Sequence, residues 1–207
     1  AVLDNRSGLA AVLPGPAPKE GDKFPPIKTY YEIPIAIQDR AFNTDGSLFY
    51  PAAREFFDTI VGPFTPDGGM GHGSFSPIWN PEFFGNTIMV NGNTWPFQTV
   101  EQRRYRIRFL NGCDSRYLIL DFSGIPGVEV WQIGNEGGLL AAPVNITALG
   151  NQLPMNLAER ADVIVDFTNV PVGSYVLTNV GPDTPFGGLP IDPVDLADPL
   201  TTGQVMQ

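Results

Sequence analysis

Hydrophobic and polar residues alternate in RRYRIRFLNGC (103–113), with Tyr105, Ile107 and Phe109 on one face and Arg104, Arg106 and Arg108 on the other. That period of two predicts a half-buried strand. The same pattern recurs in YYEIPIAIQDRAF (30–42), where Ile33, Ile35 and Ile37 share a face, and in ERADVIVDFTNV (159–170), where Val163, Val165 and Phe167 do. Pro34 lacks a ladder donor, so the first of these strands is expected at an edge or a bulge there. NTIMVNGNTWPFQTV (86–100) reads as two short strands around Asn91-Gly92. RYLILDFSG (116–124), VEVWQIGNEGG (128–138) and GSYVLTNVG (173–181) complete the set. Short strands with turn residues between them predict an all-β sandwich or barrel.

The ends and one insert break the pattern. LPGPAPKEGDKFPP, within residues 1–28, has no period and reads as an extended arm. PFGGLPIDPVDLADPLTTGQVMQ (185–207) returns to Pro, Gly and acidic residues, so 183–207 reads as a linker leaving a body at 29–182. PAAREFFDTIVG (51–62) is the best helix candidate, with Pro51 suited to the first position and Gly62 to the stop. Residues 63–85 form a long irregular stretch holding Phe64, Phe75, Trp79, Phe83 and Phe84, which fit a docking surface, a ligand cleft or ordinary core equally well.

Composition narrows the function classes. The 207 residues are 43% hydrophobic and 16% charged, with a formal net charge of −10. Affinity for nucleic acid or anionic membrane comes mainly from neutralising phosphates, and the one basic cluster is the Arg104, Arg106, Arg108 face. A solvated or interdomain strand face explains it, so no nucleic-acid partner is expected. No membrane partner is expected either, since no apolar run reaches the ~18 residues of a membrane-spanning helix. One Cys permits no internal disulfide and leaves the compartment open. Secreted, periplasmic and cell-envelope locations are all compatible.

Counting limits the chemistry further. The chain has one His, His72 in MGHGSF (70–75), and one Cys, Cys113. Zinc takes four His, Cys or carboxylate ligands, and blue copper takes two His and a Cys. With His72 and Cys113 alone, neither type 1 copper nor a histidine-bound copper cluster can be assembled within this chain. Any serine or cysteine hydrolase would have to use His72, which sits among glycines in a loop. Met70 and His72 could touch a soft metal ion, but two residues are weak evidence for a site. Cys113 reads as a buried structural thiol. Glu129 with Glu136, and Asp162 with Asp166, are carboxylate pairs for which a solvated face is sufficient. NTDGS (43–47) has acidic-loop character without calcium-loop spacing. No catalytic, cofactor-binding or metal-binding residue is therefore expected in this chain.

Several stretches nonetheless resemble one family. EIPIAIQDRAFNTDGSLFY (32–50), GNTIMVNGNTWPFQTVEQRRYRIRFLNGCDSRYLIL (85–120), QIGNEGGLLAAPV (132–144) and LAERADVIVDFTNV (157–170) are similar, in that order, to the second domain of three-domain multicopper oxidases. The branch is that of bacterial laccases, bilirubin oxidases and phenoxazinone synthase. The resemblance implies a Greek-key, cupredoxin-like β-sandwich with one short helix and long loops. It implies that copper ligands, as His-X-His and His-Cys-His motifs, lie on the first and third domains, and none of those motifs occurs here. The domain would then be copper-free, with its flanking domains as partners. The complete enzyme would oxidise phenolic or aromatic substrates and reduce dioxygen to water. GLAAVLPGP (8–16) is similar to the end of the first domain, and TTGQVMQ (201–207) to the linker before a third. The chain thus reads as a fragment that is inactive alone. A stand-alone sandwich that binds a small ligand or protein is the alternative.

Overall fold

The computed structural model describes residues 12–22, 29–50 and 82–207. Among the described residues twelve strands run in order: β1 (Glu32–Phe42), β2 (Leu48–Phe49), β3 (Thr87–Val90), β4 (Asn93–Thr94), β5 (Arg104–Asn111), β6 (Leu118–Asp121), β7 (Glu129–Asn135), β8 (Gly138–Asn145), β9 (Gln152–Met155), β10 (Arg160–Asp166), β11 (Leu177–Asn179) and β12 (Gln204–Met206). They make two sheets. The larger has the order β4-β3-β1-β5-β10-β7-β8, with β2 hung on β1. The smaller has the order β12-β11-β6-β9. The chain crosses repeatedly between them after β5, so the sandwich is sewn together by long-range pairing.

The alternation read from the sequence sets the layers. Ile35, Ile37, Tyr105, Ile107, Phe109, Val163 and Val165 point between the sheets and are buried. Leu118, Leu120, Leu153, Met155, Leu177 and Val205 meet them from the smaller sheet. Burying side chains of this size stabilises by about 2 kcal/mol each, before conformational entropy is subtracted.

Pro34 resolves into a local edge inside a central strand. β1 pairs in parallel with β5 from Glu32 to Ile37, but its other side meets β3 only from Ile37 to Arg40. Pro34 lies where that side has no strand partner, so its missing N–H breaks no ladder bond. Asn91 fills the gap: its amide donates to Pro34 O at 2.9 Å and its carbonyl accepts from Ala36 N at 2.9 Å. Asn91 and Gly92 have φ of 49° and 82°, the left-handed pair that a two-residue type I′ hairpin requires.

The remaining expectations divide. The helix at 51–62 lies outside the described residues. β2, β8, β9 and β12 had no clear sequence pattern. β2 and β12 are two and three residues long, and β8 and β9 each carry a proline, Pro143 and Pro154. The stretch read as a linker, 183–207, folds onto the body instead. Pro182 bridges Leu196, Ala197 N donates to Gly181 O at 2.9 Å, and β12 pairs with β11. Thr202 is 3% exposed and Val205 fully buried. The linker composition misled because turn-rich chain can also be pinned by a few backbone bonds and one core side chain.

Candidate functional site

Among the described residues, two largely buried ionic clusters and one apolar cavity stand out. The first cluster lies on the outer face of the larger sheet. On β5, Arg106 donates from Nε to Asp162 Oδ1 at 2.9 Å and reaches Glu32 at 3.7 Å. Arg108 pairs with Glu32, and Arg104 with Asp166 at 2.6 Å. Arg104 and Asp166 are directly opposite in the register, whereas Asp162 lies opposite Arg108 and Glu32 opposite Arg106, so the Arg106–Asp162 and Arg108–Glu32 pairs are diagonal. Of the expected solvated or interdomain face, the solvated reading is corrected at its centre: Arg106 is 4% exposed. The strand periodicity separates this face from the core, but partners 56 residues apart decide whether it is wet.

The second cluster ties four segments together. Asp39, on β1, is fully buried and accepts from Gly85 N at 2.8 Å and Asp114 N at 3.1 Å. Arg116, 1% exposed, lies 3.4 Å from Asp39, donates to Gly85 O at 2.8 Å, and pairs with Asp183. Its guanidinium also sits over the Phe84 ring at 5.6 Å. Gly85 is required there, since a Cβ would stand 2.5 Å from Arg40 N. Beside this node, Cys113 is buried with its sulfur 3.9 Å from Ile37 O. Burial, then the Asp39 charge, push its thiol well above the ordinary value. A thiol held protonated is neither nucleophile nor metal ligand.

The other sequence candidates do not converge. Glu129 starts β7, whereas Glu136 follows its far end and pairs with Arg160, so the two are not a catalytic pair. Asp162 and Asp166 are each held by an arginine. For Asp166, the upward push of burial is outweighed by bonds from Thr168 and Arg104, which leave it below the usual carboxylate range. Asp45 uses its carboxylate on Ser47 N and Oγ, closing a local turn. Phe83 is buried against Tyr50 at 5.0 Å and so belongs to the core rather than to an open surface. Met70, His72, Phe64, Phe75 and Trp79 lie outside the described residues. Among the described residues no three His, Cys, Asp or Glu side chains gather as a metal cluster would need.

The cavity was not legible in the sequence. It measures about 350 Å³ and opens between the sheets, with Ile33, Ile35, Phe109, Phe122, Leu177 and Met206 in its walls. These residues come from both sheets, and no sequence window contains them.

No protein-family model matches the chain. It is 39% identical over 149 residues to a laccase of Bacillus subtilis, covering 72% of this chain and 25% of that protein. It is also 39% identical over 140 residues to a rice multicopper oxidase, LPR1 homolog 3, covering 68% of this chain and 22% of that protein. A solved structure of the multicopper oxidase McoA of Aquifex aeolicus superposes with a TM-score of 0.56 at 27% identity, over 85% of this chain and 30% of that one. The relatives of this chain are multicopper oxidases. The fold is cupredoxin-like, and the chain spans about a quarter of the length of the curated multicopper oxidases it matches.

Copper is the group that a multicopper oxidase implies, and the residues present do not fit it. Blue copper needs two imidazoles and a thiolate, and a histidine-bound cluster needs more imidazoles still. This chain has one His. Its one Cys faces a backbone carbonyl and a buried carboxylate, a setting that disfavours the thiolate. No step through copper can be assigned to these residues.

Proposed function

We propose that this chain is the middle, copper-free domain of a three-domain multicopper oxidase of the laccase type. Its role is architectural: it spaces and orients the first and third domains, which carry the copper ligands, and contributes to the wall of the substrate cleft. In the complete enzyme, phenolic or aromatic substrates are oxidised and dioxygen is reduced to water. The observation that carries the reading is the conjunction of multicopper-oxidase relatives with a single His and a single Cys. Such a chain shares the sandwich of an oxidase without the donors of its chemistry. The rigid ionic clusters support the same reading, because a spacer between two redox domains must hold its shape.

Oxygen consumption by the purified chain, supplied with copper salt and a phenolic substrate, tests the proposal. No consumption above that of the free salt is expected. Sustained turnover by a preparation of the correct intact mass would overturn it.

A further inference from the structure

Asparagine is thermolabile, most of all before glycine, which has no Cβ to shield its own backbone nitrogen. The chain holds two such pairs, Asn91-Gly92 and Asn111-Gly112. In the reaction the glycine nitrogen attacks the asparagine Cγ. A C–N bond forms there, and Nδ2 leaves as ammonia. Water then opens the succinimide ring at either carbonyl, giving aspartate or, with the backbone rerouted through the side chain, isoaspartate. Water is the only co-reactant.

The structure guards the two pairs differently. Asn111 is fully buried beside the Asp39–Arg116 node. Its Nδ2 donates to Arg116 O and Met155 O, each at 3.0 Å, and its Oδ1 accepts from Cys113 N at 3.0 Å. Only opening of the sandwich frees it. Asn91 is exposed, at the tip of the hairpin between β3 and β4. What holds it is β1. Nδ2 donates to Pro34 O and Oδ1 accepts from Ala36 N, each at 2.9 Å, and Asn91 N donates to Ala36 O at 2.9 Å. The side-chain amide is thus tied at both ends, and Cγ cannot swing toward Gly92 N without breaking both bonds. The turn adds a second obstacle. A type I′ turn sets ψ of its first central residue to about +30°, which points the next nitrogen away from Cβ. Ring closure needs the two on the same side.

Both obstacles are local. β4 is two exposed residues at the end of the larger sheet, so lifting this tip from β1 costs less than opening the core. The reaction also damages what it escapes from. In aspartate the atom that faces Pro34 O has no proton to donate, so two acceptors meet. Isoaspartate adds a backbone atom and so breaks the two-residue turn geometry. We propose that Asn91 is a deamidation site gated by the hairpin tip: it reacts when the tip lifts from β1, and ahead of Asn111.

The test uses the full chain and a synthetic peptide of residues 87–95, each kept at mildly alkaline pH in buffer and in guanidinium. Conversion at each asparagine is read by peptide mapping from its mass gain of about one dalton. In guanidinium, Asn91 of the chain is expected to convert as fast as in the peptide. In buffer it is expected to convert at least about tenfold more slowly than in the peptide, yet faster than Asn111. Its slowing is expected to match the protection of the Ala36 amide against hydrogen exchange to within about tenfold, since one opening exposes both. Conversion in the native chain at the peptide's rate would show that the bonds to β1 guard nothing and would overturn the proposal. Asn111 converting first would overturn it as well, and so would a slowing at Asn91 that departs further from the Ala36 protection.

Discussion

Asp39 and Arg116 are buried together, and each depends on the other more than on water. Removing one member of such a pair leaves a charge without compensation, which costs about 3–5 kcal/mol. Arg116→Met keeps much of the volume and removes the charge, so a loss of about that size is expected in urea unfolding. A loss of under about 1 kcal/mol would show that Gly85 N and Asp114 N alone satisfy Asp39. Cys113 offers a second check on the same node. Its thiol is expected to resist an aromatic disulfide reagent in the native chain at mildly alkaline pH and to react at once in guanidinium. Rapid native reaction would contradict both its burial and its raised proton affinity. The identity of Cys113 as a structural thiol could be read from the sequence. The node around it could not, because Asp39, Gly85, Arg116 and Asp183 come together only when β1, the approach to β3, the β5–β6 turn and the tail are assembled.

Strands with clear alternation were legible, and those that depend on neighbours were not. β1, β5 and β10 declare themselves because each puts three apolar side chains on one face over six or more residues. β12 is three residues long in a Pro- and Gly-rich stretch, and its single fully buried side chain, Val205, has no period to announce it. That side chain is nonetheless what makes 183–207 part of the body. Val205→Ala is expected to lower stability by about 1–2 kcal/mol, with an unchanged native circular-dichroism spectrum. A neutral substitution would mean that the tail is a linker after all. The arginine face of β5 shows the same limit from another side. Alternation sorted Arg104, Arg106 and Arg108 away from the core, but Arg106 is buried between Asp162 of β10 and Glu32 of β1, partners no local pattern shows.

At the scale of the whole molecule, the likeness to multicopper oxidases and the poverty of metal donors have to be held together. A cupredoxin-like sandwich is compatible with a copper centre, and also with none. The chain has one imidazole, whereas a histidine-bound cluster needs several. What no residue count could anticipate is the cavity between the sheets, whose walls come from distant parts of the chain. The account places the oxidase chemistry outside this chain and its shape within it. The most direct test is copper per chain by elemental analysis, after the pure protein has been incubated with copper salt and desalted, with intact mass confirming a single chain. The account predicts no copper above the buffer background. Stoichiometric copper retained by a chain of the correct mass would contradict it.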